Sequence, residues 1–180
     1  MKFILSILCL SIMFIGCQPK PDNSAKEAFE KNSQTVLENL KAFQEENVDY
    51  SQYASDFVMR GTSFGSKDSL GLEDVKKSDK WLWDNYDLKL ITDPLVLLPG
   101  VNPDTKELDG SVRYYGEWEV TIPATDSTEA KSGVVKYYES YDFDDEGKIL
   151  FQQGYGDTSG LFRYLHNEDD KDDGESEAEE

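Results

Sequence analysis

The sequence predicts an α+β domain in which helices come first and an antiparallel sheet follows, the helices packing on one sheet face. Three observations carry this. Apolar residues recur at helical spacing between residues 24 and 86. Residues 111–122 alternate in polarity. An acidic turn ending in Gly147 then joins the last two predicted strands.

Ser24-Ala25-Lys26-Glu27 has the S-x-x-E form of a capping box. Phe29, Val36, Leu37, Leu40 and Phe43 follow at helical spacing, which predicts an amphipathic helix over 24–46. Asp49 is placed to cap a second, short helix with Tyr50, Tyr53, Ala54 and Phe57 on one side. Residues 57–60 read as a short strand ended by Gly61. Leu72, Val75, Leu82 and Tyr86 predict a third helix over 70–86, with Trp81 and Trp83 near its end.

The period then changes. Residues 88–92 and 95–98 are predicted strands, broken by Pro94 and ended at Pro99-Gly100. In 111–122, Val112, Tyr114, Trp118, Val120 and Ile122 share one face, while Arg113, Tyr115, Glu117, Glu119 and Thr121 share the other. Residues 134–143 form the next strand, Asp144-Asp145-Glu146-Gly147 turns the chain, and 148–155 return.

With 180 residues the chain has room for one ordinary domain. Its net charge of -19 argues against nucleic acid, whose phosphates need clustered Lys and Arg. Residues 1–16 carry Lys2, an apolar run from Phe3 to Ile15, and Gly16. That is the form of a secretory signal, too short to span a bilayer comfortably. Phe14-Ile15-Gly16-Cys17 resembles the bacterial lipoprotein box, although Phe14 stands where Leu is usual. The resemblance implies lipidation of Cys17 and a tether over 17–24. It also implies anchoring in the bacterial cell envelope, on the periplasmic side of the outer membrane. The other cysteine, Cys9, lies inside the leader, so the mature chain would hold no free thiol. Disulfides, thiol catalysis and Cys-ligated metals are thereby excluded from it. At the other end, residues 166–180 read as a solvated acidic tail.

Between these ends, residues 25–165 resemble the nuclear transport factor 2-like, or SnoaL-like, superfamily. The stretch from Tyr137-Tyr138-Glu139-Ser140-Tyr141 through Asp144-Asp145-Glu146-Gly147 to Lys148-Ile149 is similar to that family's aromatic strand, acidic turn and last strand. Tyr155-Gly156-Asp157 is similar to its downstream Tyr-x-Asp. The resemblance implies a cone: a strongly curved sheet wrapped on a long helix, with a pocket at the open end. It also implies a homodimer through the outer sheet face.

Enzymes of that family place a His or a carboxylate in the cone beside Tyr or Trp donors. Glu139 is the candidate base here, since it shares a strand face with Val135, Tyr137, Tyr141 and Phe143. Burial would raise its pKa and make it usable, with a Tyr as its donor. The competing reading is an ordinary exposed carboxylate paired with Arg113 or Lys136. Trp81, Tyr114, Trp118, Tyr137 and Tyr141 are the candidate ligand-binding aromatics. Two departures from the family favour a binding module over an enzyme. The last strand carries Gln152-Gln153-Gly154 where relatives tend to have an acid, and the sole histidine, His166, sits beside the acidic tail.

Other motifs point elsewhere less well. Gly61-Thr62-Ser63-Phe64-Gly65 matches the G-x-S-x-G elbow, but a further loop follows and the predicted sheet is antiparallel. The acidic run from Asp142 begins like a calcium loop, yet Gln153 occupies the position that needs a bidentate Glu. No metal site and no cofactor is expected. The first reading is therefore a lipid-anchored envelope protein whose non-catalytic cone binds a small apolar ligand or a protein. An isomerase, dehydratase or cyclase using a buried carboxylate is the second, and a carbohydrate-binding lipoprotein the third. Cavity geometry discriminates them.

Overall fold

The structure, a computed structural model, describes residues 22–166. The expected leader, Cys17, most of the tether and the tail beyond His166 lie outside them. The first helix, α1, spans Ser24–Gln44. The expected capping box at Ser24 does not form. Asn23 is the N-cap, and the Ser24 backbone N–H donates to Asp22 Oδ1 at 3.0 Å. Val36, Asn39 and Leu40 form the buried stripe of α1.

Asp49 accepts from the Ser51 N–H, but it caps only a 3-10 turn, Tyr50–Gln52. The second predicted helix is instead β1, Tyr53–Arg60. Across a register irregularity between Tyr53 and Val58, consecutive Tyr53 and Ala54 are both buried, Ser55 and Asp56 are exposed, and Phe57 is buried again, so the buried residues fall at i, i+1 and i+4. That spacing imitates a helical stripe, which is why the period misled. The next helix, α2, spans Leu72–Asn85, with the Gly71 N–H donating to Asp74 Oδ2.

The strands that follow are β2 (Asp87–Leu90), β3 (Val96–Val101), β4 (Leu108–Ile122), β5 (Lys131–Phe143) and β6 (Ile149–Tyr155). β3 continues through Pro99-Gly100, where a break was expected. It pairs with β4 alone, and an edge strand tolerates a residue without an N–H. β4 is long because β2 and β3 share its one edge in succession, β2 opposite Trp118–Thr121 and β3 opposite Leu108–Tyr115. The sheet order is β1-β6-β5-β4-β2, with β3 beside β4. The sheet is mixed, not wholly antiparallel as expected: β1 runs parallel to β6. β6 takes its outer neighbour from the far end of the chain, not from a hairpin.

A last helix, α3, spans Thr158–His166 and was not foreseen. Asp157 Oδ1 accepts the Gly160 N–H at 2.9 Å, so the Tyr-x-Asp acid starts this helix. Leu161 and Leu165 are its buried residues. Leu161 packs on β5 where Gly133 leaves room for it: a Cβ there would stand 2.5 Å from Leu161 Cδ1. The helix runs one residue past the expected domain end at 165, and His166 Nε2 lies 2.6 Å from the Tyr86 hydroxyl. α1 and α2 cover the inner sheet face. The core formed there includes Val36 and Leu40 of α1, Val112 and Tyr114 of β4, Tyr141 of β5 and Ile149 of β6.

Candidate functional site

The core is not filled to the end. A cavity of about 410 Å³ opens between α1, α2, α3 and the inner sheet face, with predominantly apolar walls. Leu40 and Phe43 line it from α1, Val75 and Leu82 from α2, Trp118 and Val120 from β4. Four of the five expected ligand-binding aromatics line it: Trp81, Trp118, Tyr137 and Tyr141. Tyr114 does not. It is fully buried in the core, and its hydroxyl is aimed at the space that Gly116 leaves by having no Cβ. Its hydroxyl has no hydrogen-bond partner.

Glu139 lines the cavity from the middle of β5 and is only 5% exposed. The pairing with Arg113 or Lys136 does not occur. Both point from the outer face, where Arg113 pairs with Asp142 at 3.0 Å and Lys136 lies opposite Glu117. Glu139 is held by neutral donors. Tyr141 Oη donates to Oε2 at 2.5 Å, and Gln152 Nε2 donates to Oε1 at 2.7 Å. Gln152, read from sequence as the loss of an acid, is thus the partner of one. Burial pushes the Glu139 pKa up, the two hydrogen bonds pull it down, and the charge of Asp79 adds to the rise.

Asp79 is the residue that sequence reasoning missed. It lies on the inner face of α2, 9% exposed, and lines the same cavity. Tyr50 Oη donates to its Oδ2 at 2.9 Å. Burial raises its pKa to about 6, against the pull of that hydrogen bond. A signal for it existed. Val75, Asp79, Leu82 and Tyr86 fall at the i, i+4, i+7 and i+11 positions of one helical stripe, so the acid stands where the pattern calls for an apolar side chain. Between the two carboxyls, Tyr53 feels the charge of both, and its hydroxyl exchanges hydrogen bonds with Asn39.

The Tyr137 hydroxyl reaches the cavity because Gly154 has no side chain; a Cβ at that position would overlap it. Burial and the charge of Glu139 raise the Tyr137 pKa, so the phenol stays protonated and can donate. Ser63 lines the cavity too, but from the loop after β1 and with no histidine beside it, since His166 is engaged with Tyr86. Asp144 closes the β5–β6 hairpin instead of opening a calcium loop: its Oδ1 accepts the N–H groups of Glu146 and Lys148. Among the described residues no group of three or more His, Cys, Asp or Glu is placed to hold a metal ion.

Solved structures share this architecture. A candidate SnoaL-like polyketide cyclase from Shewanella denitrificans superposes with a TM-score of 0.52 at 14% identity, over 74% of this chain and 97% of its own. The domain has the SnoaL-like, nuclear transport factor 2-like fold. A phenazine biosynthesis-related protein from Pseudomonas aeruginosa matches with a TM-score of 0.56 at 15% identity, over 89% and 96% of the two chains. BvnE pinacolase from Penicillium brevicompactum matches with 0.56 at 13%, over 77% and 92%. No protein-family model and no curated relative matches the chain. At these identities the SnoaL-like likeness concerns the fold, and the function must be argued from the cavity.

Proposed function

We propose that the SnoaL-like cone binds a small, largely apolar molecule with its polar end at Glu139, on a chain tethered to the bacterial envelope through Cys17. One observation carries the binding reading: apolar walls surround about 410 Å³ and enclose buried, hydrogen-bonding carboxyls. A cavity of this size, mostly apolar with a few convergent polar groups, is the usual form of a small-molecule site. Native mass spectrometry of the purified chain tests it. The chain should carry or take up a small molecule, and Ser78→Trp, an exposed substitution on the cavity wall, should lose it. A wild type that takes up nothing from a hydrophobic compound library sinks the reading. The anchor rests on the Phe14–Cys17 motif alone. Labelling with a palmitate analogue should mark the wild type and not Cys17→Ser; equal labelling of both removes it.

A second reading is favoured by the pair Glu139 and Asp79. Two carboxyls whose pKa burial raises, beside a free phenol, Tyr137, are the parts of acid–base chemistry on an enolisable substrate. Glu139 would take the proton and Tyr137 would donate to the developing oxyanion. The wild type should then speed exchange of the α-protons of cyclohexanone in deuterated water, followed by NMR. If Glu139→Gln exchanges them as fast, the catalytic reading is lost and the binding reading stands.

A further inference from the structure

The polar groups of the cavity are unevenly distributed between donors and acceptors. Among the described residues Asp79 Oδ1 has no donor, since Tyr50 bonds Oδ2 alone. Glu139 receives one hydrogen bond on each oxygen, although a carboxylate can accept about four. Gln152 is 8% exposed and spends its amide N–H on Glu139, while its Oε1 is buried without a partner among the described residues. A buried, unpaired acceptor is destabilising until something donates to it. Three tyrosine donors are spent, Tyr141 on Glu139, Tyr50 on Asp79 and Tyr53 on Asn39, and the Tyr137 phenol remains free, a neutral donor that brings no charge to the acids. Among the lining residues the one basic side chain, Arg60, is exposed, so neither buried carboxyl has a cation from the described residues beside it.

The walls complete the picture. Phe43, Tyr53, Trp81, Trp118, Tyr137 and Tyr141 line the same space. Aromatic faces attract a cation, and more so when water is excluded. Buried acids, an orphan acceptor and aromatic walls are the complement of a positive donor with an apolar body.

We propose that the cone takes a small organic cation, a protonated amine on an apolar frame, whose ammonium lodges against Asp79 and Glu139 and donates to Gln152 Oε1. This rests on the small-molecule reading of the cavity and names the ligand's chemistry. The acids and the orphan acceptor then receive their missing partner together, and the aromatic walls hold the frame. A carboxylate ligand of the same size would meet two acids and is excluded by charge. An alcohol can satisfy one acceptor but leaves the acids uncompensated.

Isothermal titration calorimetry of the full chain in phosphatidylcholine nanodiscs tests this, with empty nanodiscs as the blank. The probes share one frame: 2-phenylethylamine, 2-phenylethanol and phenylacetate. The amine should bind at least about tenfold more tightly than the alcohol, and phenylacetate should give no heat of binding. Asp79→Asn and Glu139→Gln should each abolish the preference, so that amine and alcohol bind the same variant about equally. An alcohol that binds as well as the amine overturns the cation proposal and leaves the small-molecule reading in place. Binding of none of the three overturns the cation proposal, and uptake of other compounds by mass spectrometry then decides the broader reading separately. The comparison of probes on the wild type stands even if a variant fails to fold.

Discussion

Glu139 and Asp142 are three residues apart on β5 and live in different solvents. Because side chains alternate along a strand, the first faces the cone and the second the outer sheet face. Asp142, with its side chain 45% exposed, is met by Arg113 at 3.0 Å. Glu139, at 5% exposure, is met only by neutral hydroxyl and amide donors. The aromatics divide the same way. Outside, Tyr115, Tyr138 and Tyr155 form a cross-strand row with ring centroids 4.9 and 6.2 Å apart. Inside, Tyr137 and Tyr141 surround a cavity and an acid. The lesson is that a single strand supplies both a stabilising surface and a site. On the outer face charge is balanced by charge. On the inner face it is left for something else to balance.

The largest effect should come from moving a charge across that boundary. Val135 is 8% exposed on the inner face and Val134 is 53% exposed on the outer. Val135→Asp should cost about 4 kcal/mol or more, or prevent folding, because it buries an unpaired carboxylate. Val134→Asp should change stability by under about 0.5 kcal/mol. Urea denaturation of the two proteins side by side measures the difference, and equal losses would mean that the two faces are not distinct.

Asp79→Asn should be next in size and opposite in sign. The Asp79 pKa is about 6 in the folded chain against an ordinary 3.8. Below about pH 4 the carboxyl is protonated in both states, so the substitution should change little. As pH rises from about 4 to about 6 the wild type loses stability, because the folded chain must hold a proton that the unfolded chain has released, and above 6 the loss stays constant. Asn does neither and can still accept from Tyr50. The variant should therefore gain up to about 3 kcal/mol over the wild type at pH above 6. Denaturation curves across this range check it, and a pH-independent difference would refute the burial argument. A side chain that costs stability and still occupies the inner stripe is more readily understood as functional than structural.

The smallest effect belongs to the outer pair. A double-mutant cycle on Arg113 and Asp142 should give a coupling of about 0.5 kcal/mol, shrinking as salt is added. A coupling of several kcal/mol that ignores salt would show that this pair is not in a water-like environment.

Much of the fold was legible because it is written in period. The 3.6-residue stripes of α1 and α2 and the alternation of β4 each appear where the sequence places them. What misled or escaped attention was irregular. The register shift in β1 made a strand look helical. Its parallel partnership with β6 joins residues that no local pattern can connect. α3 is nine residues long and follows Gly156-Asp157, which read as the end of a motif, not as a cap. The site was half legible. Glu139 stood out as an acid in an apolar row, but its partner Gln152 was visible only once β5 and β6 were in register, Tyr141 opposite Gln152. Asp79 was missed because only the apolar members of its stripe were counted.

The parallel edge has a consequence for how the domain comes into being. Val58 finds Phe151, and Met59 finds Gln152, only when the last strand, about ninety residues further on, has been made. Until then β1 presents an unpaired edge, and Gln152 has not yet reached Glu139. The last strand therefore both seals the sheet and completes the cavity floor. A nascent chain stopped short of Ile149 would hold Glu139 without the amide that steadies it, and with a strand edge open to any neighbour.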